Sequence, residues 1–363
     1  MLFSSIIFLF YFLPLFLIAY YLTPAKHRNY ALLIGSIVFY AWGGPCFIFV
    51  ILLTTGIDYL LVKQIEKSVT KKRKKRFLII SLSINLGILF GFKYLHFFVT
   101  NLNELLGFAQ ISAIELPEII LPIGISFFTF ESLTYVIDVY RGDYKSLTSF
   151  RNYLTYILMF PKLIAGPIIP YNKIGFQIEA ERSISSQLRL VGFMRFVFGL
   201  SKKVLIANVL GETVSEIYKL DAALIDSSLA WIAAIAYTMQ LYFDFSGYSD
   251  MAIGLGEMLG FKIPENFNFP YISKSITEFW KRWHISLGNW MRNYLYIPLG
   301  GNKAGKYATY FNLWIVFLLS GIWHGAGWNY LIWGCFSWLF LVIERLFLQN
   351  ISNMLVLFFI HSL

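Results

Sequence analysis

The chain has 363 residues, 58% of them hydrophobic and only 14% charged, with 36 Phe, 23 Tyr and 10 Trp and a formal net charge of +10; its mean hydropathy is +0.63. An ordinary soluble domain carries about 25% charged residues, so a water-soluble globular protein is excluded and an all-α, polytopic transmembrane helical bundle is expected. The apolar runs are continuous rather than short and alternating, which argues against a β-barrel. Only short breaks separate them, so residues 1–363 are expected to form a single membrane-embedded domain.

Residues 2–22 carry no Asp, Glu, Lys or Arg, and no small-residue cleavage site follows them. They are expected to form an uncleaved first helix. Residues 30–62 are apolar up to Asp58 but contain Gly43-Gly44-Pro45. Gly and Pro punctuate a helix, so two pieces meeting there are expected. The run Lys71-Lys-Arg-Lys-Lys-Arg76 follows. Such a run could touch nucleic acid, but between two apolar segments it reads as a cytoplasmic loop near anionic lipid, and no nucleic-acid partner is expected.

Residues 77–98 then cross outward. The loop 99–118 has Glu104, Glu115 and Glu118 and no Lys or Arg, which suits the external side. Residues 119–139 return. Residues 150–170 contain Pro161, Lys162, Gly166, Pro167 and Pro170, so a broken or re-entrant helix is expected, sheltered by protein or water. Residues 189–210 cross with Lys202-Lys203 inside the run, 211–226 form an acidic external loop, and 227–246 return. Ser275-Ile-Thr-Glu278 has the form of a capping box, and the helix it opens is expected to run from Phe279 to Tyr296 at the cytoplasmic interface. Phe279, Trp283, Leu287 and Trp290 would share one face. Residues 307–325 and 328–348 form a last hairpin, and 354–360 start one more apolar run.

The candidate chemistry lies late in the chain. From Tyr307 to Ile343 there is no Asp, Glu, Lys or Arg, yet His324 is there, within Ser320-Gly-Ile-Trp-His-Gly-Ala-Gly-Trp328. An imidazole in so apolar a stretch is costly, and its neutral-range basicity suits proton transfer; a core histidine bonded to a neighbouring helix is the plain alternative. His284 also follows a Trp and shares its segment with Arg282, Asn289, Arg292 and Asn293. Asp244 and Asp250, in Tyr242-Phe-Asp-Phe-Ser-Gly-Tyr-Ser-Asp250, read best as hydrogen-bonding structural carboxylates. Cys46 and Cys335 are isolated, and no zinc spacing or disulfide framework exists, so no metal is expected. No nucleophile elbow, phosphate-binding loop or His-Glu-x-x-His motif is present. No internal repeat is visible, which counts against a transporter.

Several longer motifs bear a resemblance. Tyr242–Gly256, Pro264-Glu-Asn-Phe-Asn-Phe-Pro-Tyr271, Glu278-Phe-Trp-Lys-Arg-Trp-His-Ile-Ser-Leu287, Tyr294-Leu-Tyr-Ile-Pro-Leu-Gly-Gly-Asn302 and Ser320–Trp328 resemble the membrane-bound O-acyltransferase family. Within it they are similar to the branch that contains the alginate O-acetyltransferases. Leu121-Pro-Ile-Gly-Ile-Ser-Phe-Phe-Thr-Phe130, Ile137-Asp-Val-Tyr-Arg141, Ala165-Gly-Pro-Ile168 and the opening Met1-Leu-Phe-Ser-Ser fit the same branch, so the resemblance runs to about Glu344.

That resemblance implies acetyl transfer from a cytoplasmic thioester, with acetyl-coenzyme A as the expected donor and no tightly bound cofactor. The acceptor would be a hydroxyl of an exported polysaccharide, reached through an extracytoplasmic SGNH-type partner, and the setting the bacterial inner membrane. By motif, His324 and His284 match the family's catalytic positions, with Arg282, Asn289, Arg292, Asn293, Trp323, Asp244 and Asp250 in support. D-alanyl or other acyl transfer to a cell-wall polymer, or a non-catalytic membrane partner, are the alternatives. Relatives in this branch usually continue through further helices, so a chain ending at His361-Ser-Leu363 is expected to be shortened at its C-terminus.

Overall fold

The computed structural model describes residues 1–164, 166–303 and 305–348; the expected apolar run at 354–360 and His361 lie outside them. Among the described residues there is no strand, and helices carry the architecture. Three are long and apolar enough to cross a membrane: Phe47–Lys67, Lys71–Phe108 and Trp328–Phe347; Ile7–Leu22 is apolar but shorter. Helices also form within the other expected spans, but these are shorter, less apolar or more charged. The chain divides into two compact units, Met1–Leu86 with Pro122–Asn266, and Gly87–Leu121 with Phe267–Leu363.

In the first unit the break at Gly-Gly-Pro is present: Arg28–Gly43 ends there and Phe47–Lys67 begins after Cys46. The basic run is not a loop. Lys71–Arg76 form the opening turns of a helix, which follows from Lys and Arg being good helix formers in their own right. Segment 150–170 is broken as expected, into Phe150–Leu158 and Phe160–Leu163, with Met159 leaving helical geometry between them. Its residues are largely buried, and protein satisfies the freed backbone, as where Tyr156 Oη donates to the Ile169 carbonyl at 2.9 Å. Phe160 is the centre of an aromatic core, with ring centroids 5.0 Å from Phe16, 5.3 Å from Phe39 and 5.5 Å from Phe12. Beside it the fully buried Lys162 donates to Glu131, also fully buried, and lies over the Tyr156 ring at 4.5 Å.

The region expected as an acidic loop, 211–226, is helical as far as Lys219; Asp226 then caps Ser227–Met258 by accepting from the Leu229 amide at 2.8 Å. Helices Ser186–Ser201 and Ser227–Met258 touch through glycines. A Cβ on Gly192 would stand 2.6 Å from the Gly254 carbonyl oxygen, and one on Gly199 would stand 2.5 Å from that of Gly247. Such small-residue contacts let backbones approach closely where apolar surroundings give no hydrophobic drive.

In the second unit, helix continues to Phe108 and residues 109–122 are irregular, steadied where Asn103 bonds the Ile114 backbone in both directions at 2.8 and 2.9 Å. Lys306–His324 and Trp328–Ile343 form the expected hairpin. Glycines seat one helix on the other: a Cβ on Gly321 would lie 2.3 Å from the Tyr330 carbonyl oxygen, and one on Gly334 would lie 2.5 Å from that of Phe317.

Candidate functional site

Ser275 caps the first piece of the site helix, accepting from the Glu278 amide at 3.0 Å. Glu278 reaches back to the Lys274 amide at 2.9 Å rather than to that of Ser275, so the capping box closes one residue early. The buried Glu344 carboxylate also receives the amides of Ile276 and Thr277, which suits an anion at a helix N-terminus.

The expected helix from Phe279 to Tyr296 is not continuous. Ile276–Arg282 stops, Trp283 is extended, His284 adopts a left-handed backbone with φ 43°, and Ile285–Trp290 starts anew before a π-helical stretch Met291–Tyr296. The physical cause lies at Arg282. Its carbonyl accepts from the Asn268 amide at 2.9 Å and its guanidinium donates to the Asn268 carbonyl at 3.1 Å, so the loop before the helix ties off its last turn. A left-handed non-glycine residue costs about 1–3 kcal/mol, and at His284 that strain places the imidazole inside the unit, 3% exposed.

His284 and His324 line one cavity of about 600 Å³. Lys281, Asn289, Arg292, Asn302 and Arg345 contribute its polar wall, and among its lining residues there is no Asp or Glu. Trp323 packs against both imidazoles, its ring centroid 6.0 Å from His284 and 4.9 Å from His324. Trp333 faces His324 from the other helix of the hairpin at 4.9 Å. His324 is exposed at the cavity wall. Its Nδ1 lies 2.6 Å from the Ser320 carbonyl oxygen. A carbonyl oxygen only accepts, so Nδ1 carries the proton and Nε2 is left as a base. Burial, with His324 beside it, pushes the His284 imidazole down to about 3, so this second ring is neutral across the physiological range.

The other expected residues separate. Asn289 and Arg292 are on the cavity wall. Arg282 is outside that lining and is occupied by Glu278, at 2.8 Å, and by Asn268. Asn293 is exposed and likewise outside the lining. Asp244 and Asp250 belong to the first unit, where Asp244 pairs with Lys203 and Asp250 with Arg195 at 3.0 Å and Lys202 at 2.6 Å. These carboxylates neutralise cations in the run 189–210. Among the described residues no group of three His, Cys, Asp or Glu side chains comes together as a metal site would require.

Lys93 was not singled out from the sequence. It donates to the Trp323 carbonyl, while Tyr94 Oη donates to that of Ile322 at 2.9 Å. The signal was present, because Lys93 is the one Lys, Arg, Asp or Glu between Phe77 and Asn103, and a charge in an apolar helix points to function. Arg345, at the end of the last described helix, was also missed.

Residues 46–360 match the family described as MBOAT, membrane-bound O-acyltransferase family. The chain is 46% identical over 346 residues to the "Probable alginate O-acetylase AlgI" of Pseudomonas aeruginosa, covering 95% of this chain and 66% of that protein. To the protein of the same description from Azotobacter vinelandii it is also 46% identical, covering 95% and 69%. To the "Peptidoglycan O-acetyltransferase" of Helicobacter pylori it is 34% identical over 377 residues, covering 95% and 70%. The chain thus spans about two thirds of the length of the curated relatives it matches.

Proposed function

Because this chain belongs to the membrane-bound O-acyltransferase family, we propose that it moves an acetyl group from an acyl thioester toward hydroxyls of an exported polysaccharide, with His324 as general base. The observation that carries this reading is the bond from His324 Nδ1–H to the Ser320 carbonyl, which leaves Nε2 as a proton acceptor at a cavity wall. A thioester is already activated, so the protein's task is to bring donor and acceptor together and take one proton. The acceptor hydroxyl gives its proton to His324 Nε2 as its oxygen attacks the thioester carbonyl. The C–S bond then breaks, and the thiolate recovers that proton from the imidazolium.

His284 serves beside it as a neutral ring with one N–H to offer to the carbonyl oxygen as negative charge develops there. Asn289 and Arg292 orient the reacting groups from the cavity wall. Trp323 packs against both imidazoles and supports them. Arg282 and Asn293 support the segment that carries His284, and Asp244 and Asp250 support the helices of the first unit. The donor is acetyl-coenzyme A, whose phosphates suit a cavity bearing Lys281, Arg292 and Arg345 and no carboxylate. The family match runs through both units, and residues 1–363 act as one embedded domain. The setting is the bacterial inner membrane, crossed several times. The alginate and peptidoglycan acetylating relatives support a glycan acceptor, reached through an extracytoplasmic SGNH-type partner.

The test is transfer of labelled acetyl from acetyl-coenzyme A in membranes holding the chain or its His324→Gln variant. Gln keeps polarity but cannot take a proton at neutral pH, and losing a general base costs about 10²–10⁴-fold in rate. A Gln variant with near-normal transfer would make His324 structural. Transfer of D-alanine from a carrier protein, with none from acetyl-coenzyme A, would instead favour the cell-wall alternative. No transfer by the unaltered chain from either donor would favour a non-catalytic partner.

A further inference from the structure

We propose that Lys93, seconded by Tyr94, is a positioning residue for the His324 base: the two side chains hold the carbonyls of Trp323 and Ile322 and so fix the last helical turn from which the imidazole projects. The proposal rests on the reading of His324 as the base. The last four carbonyls of a helix have no partner within it. Here the chain leaves the helix at once, with Gly325 extended at φ −171°. The Gly321 carbonyl receives the Gly325 amide at 3.4 Å. The next two are taken from outside the hairpin, Ile322 by Tyr94 Oη at 2.9 Å and Trp323 by Lys93 Nζ.

The ammonium has a second hold on the same residue, standing 5.7 Å from the centre of the Trp323 ring. That ring packs against both His284 and His324, so one side chain fixes both the backbone that carries the base and the indole beside it. A cation at a helix C-terminus is favourable in itself. Serine or asparagine would cap a carbonyl at less cost in an apolar helix. A lysine is accounted for by its reach and by its grip on carbonyl and ring together.

The test compares Lys93→Met, Lys93→Arg, Tyr94→Phe and His324→Gln in the full chain, purified into lipid nanodiscs, by initial rate against acetyl-coenzyme A concentration. Displacing a catalytic group by an ångström costs on the order of 10²-fold, so Lys93→Met is expected to lower kcat about 10–100-fold with KM for the thioester unchanged. Lys93→Arg, which keeps charge, reach and the ring contact, is expected to restore most of kcat. A merely structural lysine would lower the folded yield without this split between kcat and KM. Lys93→Met at wild-type kcat, beside an inactive His324→Gln, overturns the role of Lys93 and leaves the base intact. An active His324→Gln overturns both. Should Lys93→Met fail to accumulate, Tyr94→Phe carries the test: a partial loss of kcat supports the clamp and an unchanged kcat overturns it.

Discussion

Replacing Gly321 by Ala adds a single methyl one turn before His324, at the crossing of Lys306–His324 with Trp328–Ile343. That methyl would stand 2.3 Å from the Tyr330 carbonyl oxygen, where ordinary contact begins at 3.4 Å. The helices must therefore separate by about 1 Å, since the obstacle is backbone and cannot rotate away. Overpacking of this kind costs about 1–3 kcal/mol. The same displacement moves His324 against the cavity wall, for which a loss on the order of 10²-fold in transfer is expected. Thermal unfolding followed by tryptophan fluorescence in detergent reads the first effect, and the initial rate of acetyl transfer reads the second. A Gly321→Ala variant with wild-type melting temperature and wild-type rate would refute the reasoning, because it would mean that the two helices are not in backbone contact at this point.

Three further outcomes are expected. The His284 imidazole is held at about 3 in the folded chain against about 6.5 when unfolded, so the unfolded state binds the extra proton: its contribution to stability is full above pH 6.5 and is lost as pH falls toward 3, at up to about 1.4 kcal/mol per pH unit. Melting temperatures between pH 7.5 and 5 should accordingly fall less steeply for His284→Gln than for the wild type, and equal slopes would contradict the burial. Lys162→Met leaves Glu131 buried without its partner, expected to cost about 3–5 kcal/mol; the double variant with Glu131→Gln should recover part of this, and the absence of any recovery in melting temperature would count against the pair. With the basic end of Lys71–Phe108 in the cytoplasm, a lone cysteine at Lys74 should resist an impermeant thiol reagent in intact cells while one at Glu115 reacts, and the reverse pattern would invert the topology.

The sequence made the punctuation legible wherever the cause was local. Gly44 and Pro45 break a helix through their own backbone, and Ser275 caps one through its own hydroxyl, so both were predictable from residue type. His324 stood out because a polar ring in an uncharged run has few inexpensive explanations. The break at His284 was hidden. Phe279, Trp283, Leu287 and Trp290 keep helical spacing across it, and the cause is a bond between Arg282 and Asn268, fourteen positions apart. The π-helical stretches 90–94, 202–207 and 291–296 were hidden for a similar reason, since one extra residue in a turn leaves an apolar pattern almost unchanged. The charge of Lys71–Arg76 reads in the sequence as a topology signal, whereas the helix that these residues open follows from the helix propensity of Lys and Arg. Asp244 and Asp250 belong to the first unit and the two histidines to the second, and no spacing in the chain encodes that membership.

The glycine crossing in the first unit restricts how this chain can change. Gly192 meets the carbonyl of Gly254 and Gly254 meets that of Gly192; Gly199 and Gly247 repeat the arrangement. At most core contacts an enlarged residue can be tolerated once its neighbour is shortened. Here the facing residue whose carbonyl stands nearest is already glycine, and what it presents is main chain, which substitution does not alter. No second change at the facing position can make room for a first. These four sites are therefore expected to have no compensating partner: a genetic screen for suppressors of Gly199→Val should return revertants at 199 itself, or changes that move a whole helix, but none at 247.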